Sequence, residues 1–172
     1  MKQMHSLLLA AVVTSFTVPA AAQQPTRSTA HPQKADMAAD FTKGYARGVI
    51  EQRLIMVFFR TNDTFSTKEQ AEFDALREDP VFEQIFVFAE SVLPTDAVGM
   101  KAATQLKMKY IPAIGIYAPD RNELRELTRF EGIWSADELR STIVKDVCAR
   151  AGDARWPIDT WTAIVLGCGL NH

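Results

Sequence analysis

Histidine and cysteine are scarce in this chain, and both shortages bear on its chemistry. The 172 residues include three histidines, His5, His31 and His172. None of them falls in the segments that carry hydrophobic periodicity. A histidine-based catalytic site or a His-x-x-x-His metal motif is therefore not expected. The two cysteines, Cys148 and Cys168, are too few for a disulfide-dense miniprotein or a four-cysteine zinc site. A Gly-rich loop of the phosphate-binding kind is missing. Basic charge is not in excess: 19 Lys and Arg against 21 Asp and Glu leave a net charge of −2. Nothing argues for nucleic acid, which usually demands a basic face. The sequence also lacks an apolar run of the ~20 residues that a stable bilayer span needs. What is present is ordinary. With 47% hydrophobic and 23% charged residues, the composition fits one globular domain. It does not fit a disordered, collagen-like or multi-span membrane chain.

The N-terminus reads as an address. Lys2, an apolar run from Leu7 to Val18 and then Ala20-Ala21-Ala22 follow the pattern of a secretory signal. Cleavage is expected after Ala22; an uncleaved anchor is the alternative. Residues 23–36, QQPTRSTAHPQKAD, are polar and lack apolar periodicity. They are expected to form a flexible leader, with a tether or binding tail as the other reading. Export to a periplasm or out of the cell permits a lasting disulfide. It also makes ATP and nicotinamide cofactors scarce, and no cofactor is expected.

The core alternates helix and strand. Phe41, Tyr45, Val49 and Ile50 lie at helical spacing behind Asp40, which can cap them. Leu54–Phe59 is a continuous apolar run that suits a strand buried on both faces. Ser66-Thr67-Lys68-Glu69 fits a capping box, with Phe73 and Leu76 on the apolar stripe of the helix it starts. Asp79-Pro80 closes that helix. A second buried strand is expected within Phe82–Ala89, from about Ile85. Pro94-Thr95-Asp96 opens a helix with Val98, Ala102 and Leu106 on one face, weakened somewhat by Gly99. Ala113–Tyr117 is a third strand, and Leu124–Phe130 pairs back to it as a hairpin that Gly132 breaks. Ser135 caps the last helix of the core, with Leu139, Ile143 and Val147 buried. Strands separated by helices argue for parallel pairing, and the hairpin adds antiparallel strands. The expected fold is α/β: a mixed central sheet flanked by helices in three layers.

This order resembles the thioredoxin-like superfamily over residues 36–149. The strand Leu54–Phe59 runs into a loop and a helix where thioredoxins place their active site. Tyr110-Ile111-Pro112-Ala113 resembles the family's Ile-Pro-Thr element, whose proline is cis. Glu131-Gly132 before the Ser135 helix is similar to the family's end. The departure is chemical. Where thioredoxins carry Trp-Cys-Gly-Pro-Cys, this chain has Asn62-Asp63-Thr64-Phe65-Ser66. Thiol–disulfide exchange needs a thiolate at that helix start, and no cysteine precedes Cys148. Asp63 can instead cap the helix or act as an acid or base. Ser66 is a cap, or a nucleophile if a base is near. The resemblance further implies that the residue before the cis proline, here Ile111, offers its main chain to an extended peptide. The groove implied comprises Asp63, Thr64, Phe65, Ser66, Ile111, Pro112 and Trp134.

Cys148 and Cys168 are expected to form a structural disulfide that staples a C-terminal extension, residues 150–172, onto a domain spanning 37–149. Trp161, Ile164 and Val165 fall on one helical face, either packed on the domain or presented to a partner. A zinc site of Cys148, Cys168 and His172 has one ligand too few, so no metal is expected. The functional expectation is a non-catalytic, exported binding or assembly module with a protein or peptide partner. It would use the cis-proline groove or the tail. A thiol–disulfide protein or oxidoreductase accessory working through Cys148 and Cys168 is the alternative. Oligomeric state stays open.

Overall fold

A computed structural model describes residues 37–38, 40–150 and 160–168 of the chain, without the side chains of Thr160 and Trp161. The expected signal peptide and leader lie outside the described residues, as do Trp156, Pro157 and His172. The elements in chain order are α1 (Phe41–Glu51), β1 (Leu54–Arg60), α2 (Thr64–Arg77), α3 (Pro80–Ile85), β2 (Phe86–Val92), α4 (Ala97–Gln105), β3 (Ala113–Tyr117), β4 (Glu126–Glu131), α5 (Ala136–Arg150) and α6 (Thr160–Val165). The four strands form one mixed sheet in the order β2-β1-β3-β4.

β1 is the centre of the sheet because all six of its apolar residues can be buried at once. Its side chains alternate between two layers, as a strand's period of two requires. Leu54, Met56 and Phe58 point into one cluster, with Phe73 and Leu76 of α2, Phe82 and Ile85 of α3, and Leu139, Ile143 and Val147 of α5. Ile55, Val57 and Phe59 point into the other, with Phe41 of α1 and Ala102 and Ala103 of α4. Rings make much of the first layer's contact: Phe58 stacks on Phe73 at 5.1 Å between centroids, and Phe73 meets Phe88 edge-on at 5.7 Å. Each such side chain gains ~1.5–3 kcal/mol from full burial.

Several local readings change in three dimensions. α1 does not bury Val49 and Ile50; Ile50 is 78% exposed. Its buried stripe is Phe41, Gly44 and Gly48. A Cβ at Gly44 would lie 2.2 Å from Ala89 Cβ, so the absence of a side chain lets the helix lie directly on β2. The second strand begins at Phe86, one residue from the expected start, and the stretch before it, Pro80–Ile85, forms a short helix that was not expected. Asp79 caps this short α3 by accepting the Val81 N–H at 2.8 Å, with Pro80 at its first turn. β1 and β2 are parallel, as expected. β3 runs antiparallel to β1, contrary to the parallel pairing its preceding helix suggested. The reason lies in α4. Met100 near its start and Met108 beyond its end border one cavity with residues at the ends of β1 and β2. The connection through α4 therefore begins and ends at one end of the sheet: β3 starts where β2 stops, with Phe59 paired to both Ser91 and Ala113.

Ser66 does not cap α2. Asp63 does, accepting the Ser66 N–H at 2.7 Å. The reciprocal Ser/Glu cap is formed instead by Ser135 and Glu138. The Ser135 N–H and hydroxyl donate to Glu138 Oε2 at 3.1 and 2.8 Å, and the Glu138 N–H donates to Ser135 Oγ at 3.3 Å.

Cys148 and Cys168 are bonded, with their Cα atoms 5.2 Å apart. The link holds α6 against the α5 side of the sheet. The buried residues there are Ala163 and Leu166; Ile164 is 62% exposed. The expected face thus turns outward at Ile164, while Val165 packs partly buried.

Candidate functional site

The loops at one end of the sheet meet around the cis peptide bond Ile111–Pro112. β1 ends at Arg60, which pairs with Glu90 on β2 and donates to Asn62 Oδ1 at 3.0 Å. The next residue, Thr61, is fastened to the start of α2. Its N–H donates to Ser66 Oγ at 3.1 Å, and its hydroxyl bonds the Asp63 carboxylate. The segment Asn62–Ser66 therefore occupies the position between β1 and α2 that the resemblance assigned, and it contains no sulfur.

Asp63 is the cap of α2, and this use limits its chemistry. Its carboxyl is held below the ordinary range, first by the Ser66 N–H and then by the Thr61 hydroxyl. A carboxylate so stabilised is a poor general base at neutral pH. Ser66 is 1% exposed. Its hydroxyl touches an amide N–H and the Thr61 hydroxyl at 3.2 Å, neither of which can activate it. The capping role of Asp63 stands; neither expected role of Ser66 does.

α4 completes the opposite bank. Asp96 caps it and accepts four hydrogen bonds, from the Val98 and Gly99 N–H groups at 3.1 and 2.9 Å, the Phe41 N–H at 3.0 Å and the Ser91 hydroxyl at 2.9 Å. Burial pushes its carboxyl up, but these donors outweigh burial and hold it below the usual value. Gly99 is needed here, since a Cβ would fall 1.8 Å from Ser91 Oγ.

Between the banks lies an apolar cavity of about 330 Å³. Leu93, Pro94, Ala103 and Ile111 give it apolar walls, with Met100 and Met108 beside them and the threonines Thr61 and Thr104 adding hydroxyls. The Leu93–Pro94 bond is also cis. Within the molecule the Pro112 carbonyl accepts the Gly132 N–H at 2.8 Å, whereas the Ile111 N–H and C=O bond no described residue. Around this end, large apolar side chains stand in solvent: Phe65 is 65% exposed, Tyr110 67%, Val98 49%, Ile133 44% and Met100 38%. Only two exposed large hydrophobics among the described residues, Ile50 and Ile164, belong to other parts of the fold.

The structure brings Thr61 and Ile111 together in the cavity wall, with Asp63–Ser66 on the adjoining helix start. Trp134 is not among the residues that line the cavity. It packs against Phe130 at 5.5 Å in the α5-side layer, and its indole N–H donates to the Glu131 carbonyl. Its backbone N–H donates to Glu69 Oε2 at 3.0 Å. Glu69 is thus a buried acceptor for the loop before α5, not the partner of a Ser66 cap. Burial, with the Glu72 charge adding, pushes its carboxyl up to about 7. Glu72 serves the same loop by accepting the Ala136 N–H at 2.7 Å. Sequence reasoning missed Leu93, Pro94, Met100 and Met108. A signal existed: Leu93-Pro94 repeats the apolar-proline dipeptide of Ile111-Pro112.

Among the described residues no helix is long and apolar enough to cross a membrane. No protein-family model and no curated protein matches the chain. Solved structures do. The solution structure of a thioredoxin from Thermus thermophilus superposes with a TM-score of 0.54 at 18% identity, over 70% of this chain and 92% of that one. The crystal structure of a thioredoxin from Malassezia sympodialis gives 0.53 at 8% identity, over 70% and 97%. At these identities the likeness speaks for architecture. The fold is thioredoxin-like.

Proposed function

We propose that this protein is an exported, non-catalytic binding or assembly module that holds an extended segment of a partner protein against Ile111 and Pro112. The observation that carries the reading is the unbonded Ile111 main chain beside an apolar cavity. A donor and an acceptor in that setting are what an added strand needs, with a side-chain pocket supplying specificity. The ring of exposed Phe65, Val98, Met100, Tyr110 and Ile133 supports it, because clustered exposed apolar area marks interaction sites. The chemistry requires no thiol at the Asn62–Ser66 loop. The test is a photo-reactive residue in place of Ile111, activated in the cell that makes the protein. One discrete protein adduct is expected. No adduct from folded, exported protein overturns the reading.

The Cys148–Cys168 bond supports a second reading, a thiol–disulfide protein or oxidoreductase accessory, because both cysteines are only partly buried. Its reduction potential separates the two. A value below about −300 mV marks a structural link, and one near −120 to −200 mV marks redox work.

A further inference from the structure

The main chain at Ile111 is held from both sides by the last residue of β4 and the residue after it. On one side Glu131 Oε2 accepts the N–H groups of Lys109 and Tyr110, each at 3.2 Å. Neither amide has another acceptor among the described residues. On the other side the Gly132 N–H donates to the Pro112 carbonyl at 2.8 Å. Ile111 lies between, and its own N–H and C=O bond no described residue. Glu131 is itself fixed, because its Oε1 pairs with Arg129 Nε at 3.2 Å. Arg129 also pairs with Glu126 at 3.3 Å and donates from Nη1 to the Leu106 carbonyl, at the end of α4, at 2.9 Å. Arg129 and Glu131 stand two residues apart on β4, opposite Gly115 and Ala113, so their side chains share one face of the sheet. Together they tie both ends of the segment Leu106–Tyr110 to β4. That segment has no strand partner of its own, and Lys107 within it sits in the left-handed region at φ 53°. It also carries Met108, which lines the cavity with Ile111.

We propose that Glu131 is a positioning residue for partner binding, whose carboxylate sets the Ile111 main chain and the Met108 wall where an extended partner segment meets them. The inference rests on the peptide-binding reading above and adds the residue that prepares its site. Glu131 acts through the Lys109 and Tyr110 amides. A charged acceptor binds such amides more strongly than a neutral one does. Its partner Arg129 fixes where that charge lies. Without the carboxylate, the two amides turn to water. The open donor and acceptor of Ile111 then lose their fixed direction, and ordering them falls to the partner as an added entropic cost of binding.

The test uses the full chain in the cell that makes it, with a diazirine-bearing residue in place of Ile111. The adduct is compared between the otherwise wild-type chain and Glu131→Ala, Glu131→Asp and Glu131→Gln. Asp keeps the charge beside Arg129 but is one methylene too short for both amides, whereas Gln keeps the reach and an oxygen for them. Adduct yield is expected to fall at least about tenfold with Ala and Asp and to stay within about twofold with Gln. In the purified proteins, hydrogen exchange at the Lys109 and Tyr110 amides is expected to speed at least about tenfold with Ala and Asp. The urea midpoint and exchange in β1 are expected to stay at their wild-type values in both. A merely structural role would instead lower the urea midpoint and leave the adduct of the folded protein unchanged. If the Ala variant fails to fold, the Asp variant decides. An adduct that persists with Asp, unchanged exchange at both amides, or loss of the adduct with Gln as complete as with Ala overturns the positioning role and leaves the groove reading standing. No adduct from the wild-type background overturns both.

Discussion

Replacing Glu69 with Gln removes an ionisable proton from the α2–α5 contact while keeping an acceptor for the Trp134 N–H. Glu69 is 1% exposed, and its Oε1 has no hydrogen-bond partner. Burial first, and the Glu72 charge second, push its carboxyl from 4.5 up to about 7, with the Trp134 N–H opposing. In the unfolded chain it returns to the ordinary value. Below about pH 4.5 both states hold the proton. Between 4.5 and 7 only the folded state holds it, so folding takes up a proton and stability falls as pH rises. Above pH 7 the buried carboxylate is ionised and the loss is complete. At ~1.4 kcal/mol per pH unit, that interval is worth about 3 kcal/mol. Glu69→Gln is therefore expected to match the wild type at pH 4 and to exceed it by about 3 kcal/mol at pH 8. Urea unfolding followed by circular dichroism at five pH values, with the disulfide intact, measures the difference. Parallel stability curves for the two proteins from pH 4 to 8 would refute the burial argument.

Three further outcomes are expected. Gly44→Ala brings a methyl to 2.2 Å from Ala89 Cβ; overpacking of ~1–3 kcal/mol set against the helix-propensity gain of ~1 kcal/mol gives a net loss of up to about 2 kcal/mol in denaturant melts. A gain in stability there would mean that α1 does not lie on β2 as described. Asp96→Ala strips four donors of their acceptor and is expected to cost about 2–3 kcal/mol at pH 7. Because the Asp96 carboxyl is held below 3.8, the part of its contribution that depends on ionisation is present above that value and lost as pH falls further, so the gap between thermal melts of variant and wild type should narrow in acid; a constant gap would refute it. Cys148→Ser with Cys168→Ser opens a link across a sequence separation of 20 and is expected to cost about 3 kcal/mol in the chain-entropy model. Hydrogen exchange should then speed at the Leu166 and Cys168 amides, which bond the Thr162 and Ala163 carbonyls; unchanged exchange would show that α6 is held by packing alone.

The groove was legible only in part, and the reason differs by residue. Ile111-Pro112 is a local signal, and the cis bond is where the resemblance put it. Asp63 was readable as a cap because a short carboxylate before a helical stripe has few other uses. Trp134 was not placeable, since its side depends on the turn taken after β4 and on the buried Glu69 that accepts its N–H. The cavity was hidden because its walls come from four separate stretches, at Thr61, Leu93-Pro94, α4 and Met108–Ile111.

What the sequence determined by itself is whatever a few neighbouring residues decide. Six consecutive apolar residues make β1 a strand buried on both faces, because alternate side chains must find two layers. Asp40, Asp96 and Ser135 start helices because their side chains reach an amide two or three residues ahead. Tertiary structure decided what depends on distant partners. Gly44 faces the sheet and Ile50 faces solvent because Ala89 leaves room for a helix backbone and nothing larger. Ser66 and Glu69 had the spacing of a capping box, yet Asp63 already held the Ser66 amide and Trp134 supplied Glu69 with a donor. β3 reversed direction because the connection through α4 starts and ends at the same end of the sheet, where Phe59 pairs with both Ser91 and Ala113. The Ile111 main chain, just before β3, stays unbonded in the wall of the cavity.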